Sequence, residues 1–439
     1  MNMHSYLEIV SEQIRCRRAK KMILEELEGH IEDQKLDYMA DGMNADEAEE
    51  EAVRQMGDPV ETGMELDRIH RPRMDWKLVA AIVVLSLAGL FLQWMTYRQP
   101  DSAYKAAEVW RQGKYMALGV LMMAGICLAD YTLIGKYAFC FWISAIGINA
   151  GCKLLACAEP GRFFLNGVSW FWTTSWFWGS LILPAYAAVV WRSGREGKKG
   201  FFKSVACLGV SAVVWRAVPG SGFVAAVFTL IGAVLLLAAV GKGWFGKEVR
   251  SLTMRAGIAL AAVFLLVCAV SYGSAYLEQQ TGYQAGSGQN VYGISYEEVR
   301  EDMKELALSD REGEDLTGTE LEWSRFDARS TFLWMYMLRY LGSLPVIVLT
   351  LLVGVFLTLL IRTVLGQRNR LGFLLGLAAV LFLSVQAVWY IGMNAGIFPV
   401  TEAYMPFYTQ GGANLCVTYF YAGILLSIYR NSSVVKNER

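Results

Sequence analysis

Arg339 lies several residues into the apolar run that begins at Phe332. A guanidinium there is costly unless it pairs, snorkels to the interface or lines a wet cavity. Two readings stay open. Its planar fork suits a lipid-linked phosphate, and its long stem suits snorkelling beside Tyr336 and Tyr340. Arg216, near the end of another apolar run, carries the same pair of readings. The step Gln410-Gly411-Gly412 opens the last apolar run. Successive glycines leave backbone N–H groups able to face a ligand and let it approach closely. Trp170, Trp172, Trp176 and Trp178 suit an interfacial aromatic belt better than a sugar-stacking platform.

The eight cysteines are scattered without a CxxC pair, and seven lie in or beside apolar runs as small hydrophobes. His4, His30 and His70 have no metal-ligand spacing. No metal, cofactor or nucleic-acid partner is called for.

Apolar residues make up 55% of the 439, and several runs exceed the roughly 18 residues that cross a bilayer core. The fold class is therefore all-α, a polytopic membrane protein of about ten transmembrane helices with a small N-terminal cytoplasmic helical bundle. The spans are 78–97, 116–134, 137–156, 169–191, 204–218, 223–240, 256–276, 332–361, 371–390 and 414–429. The polar N-terminus leaves no cleavable signal peptide, so the first span directs insertion.

The net charge of zero hides a partition: 1–70 hold about 18 acids and 278–331 about 13. Basic clusters at Arg192–Lys203, Lys242–Arg255 and Arg362–Arg370 then face the cytoplasm with both termini. Segment 278–331 falls outside as a large acidic loop. One loop dissents: Arg98, Lys105, Arg111 and Lys114 would also lie outside.

Residues 1–73 read as a helical domain. Leu24, Leu27, Ile31 and Tyr38 share one face of a helix over Lys20–Asp41, which Gly42 stops. Asn44 caps the next helix, with Asp46 and Glu47 in its first turn and Ala48, Ala52, Val53 and Met56 as its apolar stripe. Asp58 caps a last helix with Pro59 at its first position. The order Glu-Leu-Glu-x-His-Ile-Glu-Asp, Gly-Met-Asn-x-x-Glu-Ala, Met-Gly-Asp-Pro resembles the HAAS, or permease prefix, domain. That likeness implies a cytoplasmic interaction module. Its acidic surface is either solvated or a docking face for a basic regulatory partner.

The stretch Asn394 to Leu415 keeps Asn394, Gly396, Pro399, Thr401, Pro406, Phe407, Gly411 and Gly412 at the spacing of a known signature. It resembles the C-terminal motif of the SEDS family (FtsW, RodA, SpoVE), membrane glycosyltransferases that polymerise peptidoglycan. Glu402 replaces the Gly of the family's Thr-Gly step, and Thr409-Gln410 its Ser-Tyr. Asp75-Trp76-Lys77-Leu78, Val109-Trp110-Arg111-Gln112 and Ala129-Asp130-Tyr131-x-Leu133 add upstream likeness. The resemblance covers 75–430, within a membrane domain of 74–431 followed by a cytoplasmic tail of 432–439. It implies the bacterial cytoplasmic membrane.

By that resemblance, an acid at the outer end of span eight deprotonates the attacking sugar hydroxyl, and positive charge stabilises the leaving pyrophosphate. Aligned on Leu341-Gly342, the family's Asp is Thr331 here and its Glu-Glu pair is Arg339-Tyr340. A threonine hydroxyl cannot serve as a carboxylate base. Two further polar motifs of the family are replaced, near Phe171–Trp176 and at Pro219–Phe223. The implied protein is a SEDS-like member of the division, shape or sporulation machinery, non-catalytic or altered. It would bind undecaprenyl-linked saccharide or a class B penicillin-binding protein, under control of the N-terminal domain and among membrane lipids. One alternative is an active enzyme using a displaced loop acid, Asp327 first and Asp310 or Asp315 next. Another is a transporter or sensor whose 278–331 loop takes a ligand, although no repeat of interrupted helices supports transport.

Overall fold

A computed structural model describes residues 1–96, 102–158, 175–216, 222–251, 332–395, 397–398 and 403–432. They are helical, with no strand among the described residues. The chain forms two units, Met1–Asp75 with Ile428–Arg439 and Trp76–Ser427.

In the first unit α1 (Met3–Gln13), α2 (Arg17–Ala40), α3 (Ala45–Gln55) and α4 (Pro59–His70) follow one another. Each boundary has a local cause. The side chains of Asn2, Asn44 and Asp58 accept N–H bonds in the first turns of α1, α3 and α4, satisfying donors that a helix leaves unpaired. Gly42 and Gly57, at φ 100° and 78°, turn the chain after α2 and α3. The core gathers Tyr6, Val10, Ile14, Ile23, Leu27, Ile31, Ala52 and Val53. Leu24 and Tyr38 pack partly against it. Helix α1 was not among the elements expected. It places Tyr6 under α3, the phenol donating to the Met56 carbonyl at 3.1 Å.

The ion pair Lys35 Nζ to Glu49 Oε2, at 2.7 Å, ties α2 to α3, and the Met3 amide donates to the other Glu49 oxygen at 3.1 Å. The Lys35 bond, then the Met3 amide, hold the Glu49 carboxyl below its ordinary value. A depressed carboxylate adds stability above its unfolded pKa and loses it as pH falls through the folded value. Lys35 is raised by the same bond, so its share persists until strongly alkaline pH. Residues 1–75 alone are expected to melt cooperatively as a helical species, with a melting temperature that declines below about pH 4.5. In circular dichroism melts Glu49→Gln should flatten that decline; an unchanged acid slope would refute the assignment.

The second unit contains α5 (Trp76–Thr96), α6 (Ser102–Leu128), α7 (Thr132–Lys136), α8 (Ala138–Ala158) and α9 (Ser175–Ser193). It continues with α10 (Gly197–Arg216), α11 (Gly222–Gly241), α12 (Leu333–Leu341), α13 (Ser343–Leu365), α14 (Arg370–Asn394) and most of α15 (Gly412–Asn431). Helix α9 packs on α8, α10, α11 and α14, while α13 packs on α5 and α14. The spans α14 and α15 have 67% and 83% of their apolar windows buried, against 39% for α5 and 28% for α13. The C-terminal helices are thus central and α5 and α13 peripheral.

Proline in α9 shows how such a bundle satisfies its backbone. Pro184 has no N–H to give the carbonyl four residues earlier. That carbonyl, of Ser180, accepts the Tyr421 hydroxyl of α15 at 2.7 Å instead, the internal partner that hydrocarbon demands.

Four of the described helices, α5, α13, α14 and α15, are long and apolar enough to cross a membrane, with shorter apolar stretches at Ala138–Gly151 and Ala225–Gly241. The expected count of ten is not reached by that measure. Helices α6, α9 and α10 occupy expected positions but carry polar or charged turns. The seventh span, 256–276, lies outside the described residues.

Two boundaries are corrected. The eighth span is two helices, because Gly342 at φ 80° interrupts 332–361 between α12 and α13. The second span starts earlier, at Ser102, so Lys105, Arg111 and Lys114 belong to α6 and not to a loop. Arg98 lies outside the described residues.

Candidate functional site

Residues 403–411 join α14 to α15 as an irregular segment that is almost wholly buried. Buried non-helical backbone is tolerated at membrane depth only when its polar groups find protein partners. Amides from three helices supply them. Gln93 of α5 donates to the Tyr408 carbonyl at 2.8 Å. Gln112 of α6 donates to the Thr409 carbonyl at 3.4 Å and accepts from the Gly411 amide at 3.3 Å. Gln386 of α14 accepts from the Tyr404 amide at 3.2 Å.

Phe407 is the positive-φ non-glycine among the described residues, at 70°. Its ring packs edge-on against Phe356 of α13 and Tyr419 of α15, with centroids 5.3 and 5.5 Å away. Its carbonyl lies against Gly89 of α5, where a Cβ would overlap it. Tyr419 in turn donates to Ser86 Oγ at 2.6 Å.

The first signature residue, Asn394, ends α14 and reaches α12. Its Oδ1 accepts from the Met335 amide at 3.2 Å, an N–H of the first turn of α12, while its Nδ2 donates to the Tyr390 carbonyl at 3.0 Å. One buried amide therefore holds the first turn of α12, the helix that carries Arg339.

The expected site residues fall as follows. Asp327 and Thr331 lie outside the described residues, as do Asp310, Asp315, Pro399, Thr401 and Glu402. Arg339 is on α12, which packs on α13 and α14; Arg216 ends α10, exposed, on a helix that packs on α8, α9 and α11. Gln410 is half-buried.

Gly411 and Gly412 are not open to a ligand. Both are buried, the Gly411 N–H is taken by Gln112, and a Cβ on Gly412 would stand 2.6 Å from the Tyr115 ring of α6. The step lets α6 approach closely. The expectation of free N–H groups fails at Gly411 because a membrane interior leaves no donor unpaired.

Gln93 and Gln386 were missed; the available signal was an amide inside an apolar run, which marks a partner. The described residues after 331 include Arg339, Arg362, Arg368, Arg370 and Arg430 and no carboxylate. No group of metal-ligating side chains occurs among the described residues.

A helical protein with apolar spans and a buried, amide-held connection between its last two helices is an integral membrane protein. Residues 326–434 match the FTSW_RODA_SPOVE family, described as cell cycle protein. The "Probable peptidoglycan glycosyltransferase FtsW" of Synechocystis sp. is 29% identical over 23% of this chain and 26% of its own length. Its namesake from Idiomarina loihiensis is 23% identical over 73% of this chain and 72% of its own. "Stage V sporulation protein E" of Bacillus subtilis is 27% identical over 24% and 29%. The chain spans about a quarter of the first and third of these relatives. A solved structure titled for polymerization and crosslinking by a peptidoglycan synthase complex superposes with TM-score 0.56 at 16% identity, covering 82% of this chain and 98% of the other. That likeness establishes the fold. Through residues 326–434 the chain is similar to the FtsW, RodA and SpoVE family, the SEDS proteins.

Proposed function

We propose that this chain is a SEDS-type protein of bacterial cell-wall synthesis that binds lipid-linked saccharide without polymerising it. The observation that carries this reading is the Asn394 to Met335 bond. It supports the reading by tying the family signature to the first turn of α12, the helix that follows position 331 in the sequence. The residue at the base position is Thr331, which has no carboxylate to accept a proton. Binding remains in this reading because Arg339 offers fixed positive charge on α12, with Arg216 as a second contact for a pyrophosphate.

The family likeness supports undecaprenyl-linked saccharide as the ligand. A neighbour named for a synthase complex supports a class B penicillin-binding protein as partner. In the same reading the chain has about ten spans with both termini in the cytoplasm. Residues 1–73 act as a HAAS-like regulatory domain, and 278–331 is an external loop.

The test is a gel assay of the purified chain with lipid II. No polymer is expected from the wild type, while Arg339→Ala weakens lipid II binding by roughly tenfold, the loss of one charge-assisted contact. Polymer from the wild type that disappears in Asp327→Asn would overturn the reading and establish a displaced loop base.

A further inference from the structure

One end of the second unit carries a belt of cations on aromatic rings. Lys136 lies over Tyr137, Arg195 over Trp191 and Lys203 over Phe139, at 5.2, 5.2 and 4.3 Å from the centroids. Within this belt the turn after α11 and the start of α14 form a tighter arrangement. Lys242 Nζ stands 3.7 Å from the centre of the Phe373 ring, and the Arg370 guanidinium 5.4 Å from the Trp244 ring. The two rings meet edge-to-face at 6.4 Å.

Both sides of this cluster are rigidly built. Helix α11 ends in a Schellman turn: Gly243 has φ 75°, its amide donates to Val240 at 2.8 Å, and the Trp244 amide donates to Ala239 at 3.2 Å. Across from it, the buried Asn369 side chain accepts from the Leu371 and Gly372 amides and fixes the first turn of α14.

The nearby carboxylates are spoken for. Glu196 pairs with Lys203 and Glu248 with Lys198, while Asp130 caps the Thr132 amide. Among the described residues, Lys242 and Arg370 have ring partners and no carboxylate. A ring contact holds a cation without neutralising it and leaves the donors on its other side unspent. The cluster also lies at the ends of two apolar helices, α11 and α14, and cations beside aromatic rings at such ends suit a headgroup region.

We propose that Lys242 and Arg370, held by Phe373 and Trp244, bind the phosphate of an anionic phospholipid headgroup. The rings set the spacing of the two cations. This site is independent of lipid-linked saccharide and of Thr331.

The test uses the full chain in detergent, with thermal unfolding followed during titration by dioctanoylphosphatidylglycerol. The phosphatidylglycerol is expected to raise the melting temperature of the wild type. The K242Q/R370Q variant should require roughly tenfold more lipid for the same rise, and K242Q alone should shift in the same direction by less. K199Q/K247Q, which removes two exposed cations elsewhere at this end, should respond as the wild type does. Dioctanoylphosphatidylcholine and inorganic phosphate should produce no rise. Equal lipid dependence in the two double variants would reduce the effect to net charge and overturn the proposal. A rise with inorganic phosphate alone would also overturn it, by making this a free-anion site. If K242Q/R370Q does not fold, the titration of K242Q decides, and a wild-type response in that variant sinks the idea.

Discussion

Gly89→Ala is expected to unseat the buried connection between α14 and α15 and to cost about 3 kcal/mol, the upper part of the usual range for overpacking. The reason is the nature of the obstacle. A Cβ at Gly89 meets the Phe407 carbonyl oxygen first, then its carbonyl carbon at 3.0 Å and the Tyr408 Cα at 3.3 Å. Backbone cannot swing aside as a side-chain tip can. The neighbouring Tyr408 carbonyl is moreover pinned by Gln93 at 2.8 Å, so α5 and the connection must separate together. Gly147→Ala in α8 is the control, because nothing lies within 4 Å of its Cβ position. Thermal unfolding of the two purified variants decides the matter. Equal melting temperatures would mean that α5 and the 403–411 segment do not hold one another.

Phe407 should show an unusual order of substitutions, with Phe407→Gly no worse than Phe407→Ala. Truncation to alanine empties the space between Phe356 and Tyr419. In water a buried Phe→Ala change costs roughly 3–5 kcal/mol. Here an unfolded segment still sits in hydrocarbon, so the transfer share shrinks and the packing share remains, about 2 kcal/mol. Alanine also keeps the left-handed backbone at φ 70°, which costs an L-residue about 1–2 kcal/mol. Glycine loses the same ring contacts but sheds that strain, reversing its usual disadvantage in ordered structure. A melting temperature for Phe407→Gly several degrees below that of Phe407→Ala would show that the segment does not hold this conformation.

The two substitutions probe one piece of architecture, and they bear on function through Asn394. If the 403–411 connection is displaced, α14 loses its ordered end, and the Asn394 bond to the first turn of α12 goes with it. Under the proposed function, lipid II binding by Gly89→Ala should therefore fall even though Gly89 is on α5, far in sequence from Arg339.

Much of this protein could be read from local pattern. The caps at Asn44 and Asp58, the turns at Gly42 and Gly57 and most helix positions followed from residue type and spacing. These features depend on neighbours within a few residues, which sequence displays directly. The family resemblance could also be read, because its signature is a contiguous stretch around Pro406-Phe407 and Gly411-Gly412. What the signature residues do was decided by tertiary structure alone. Gln93 meets Tyr408 across 315 residues and Gln112 meets Gly411 across 299, so no local pattern could disclose that these two of the three amides hold the connection or that Gly411 has no donor to spare. The break at Gly342 and the cluster of Lys242, Trp244, Arg370 and Phe373 were hidden for the same reason. A glycine in an apolar run and two cations in different loops acquire meaning only when the bundle brings their neighbours to them, since burial and partner, not residue type, set the energy of a polar group in a membrane.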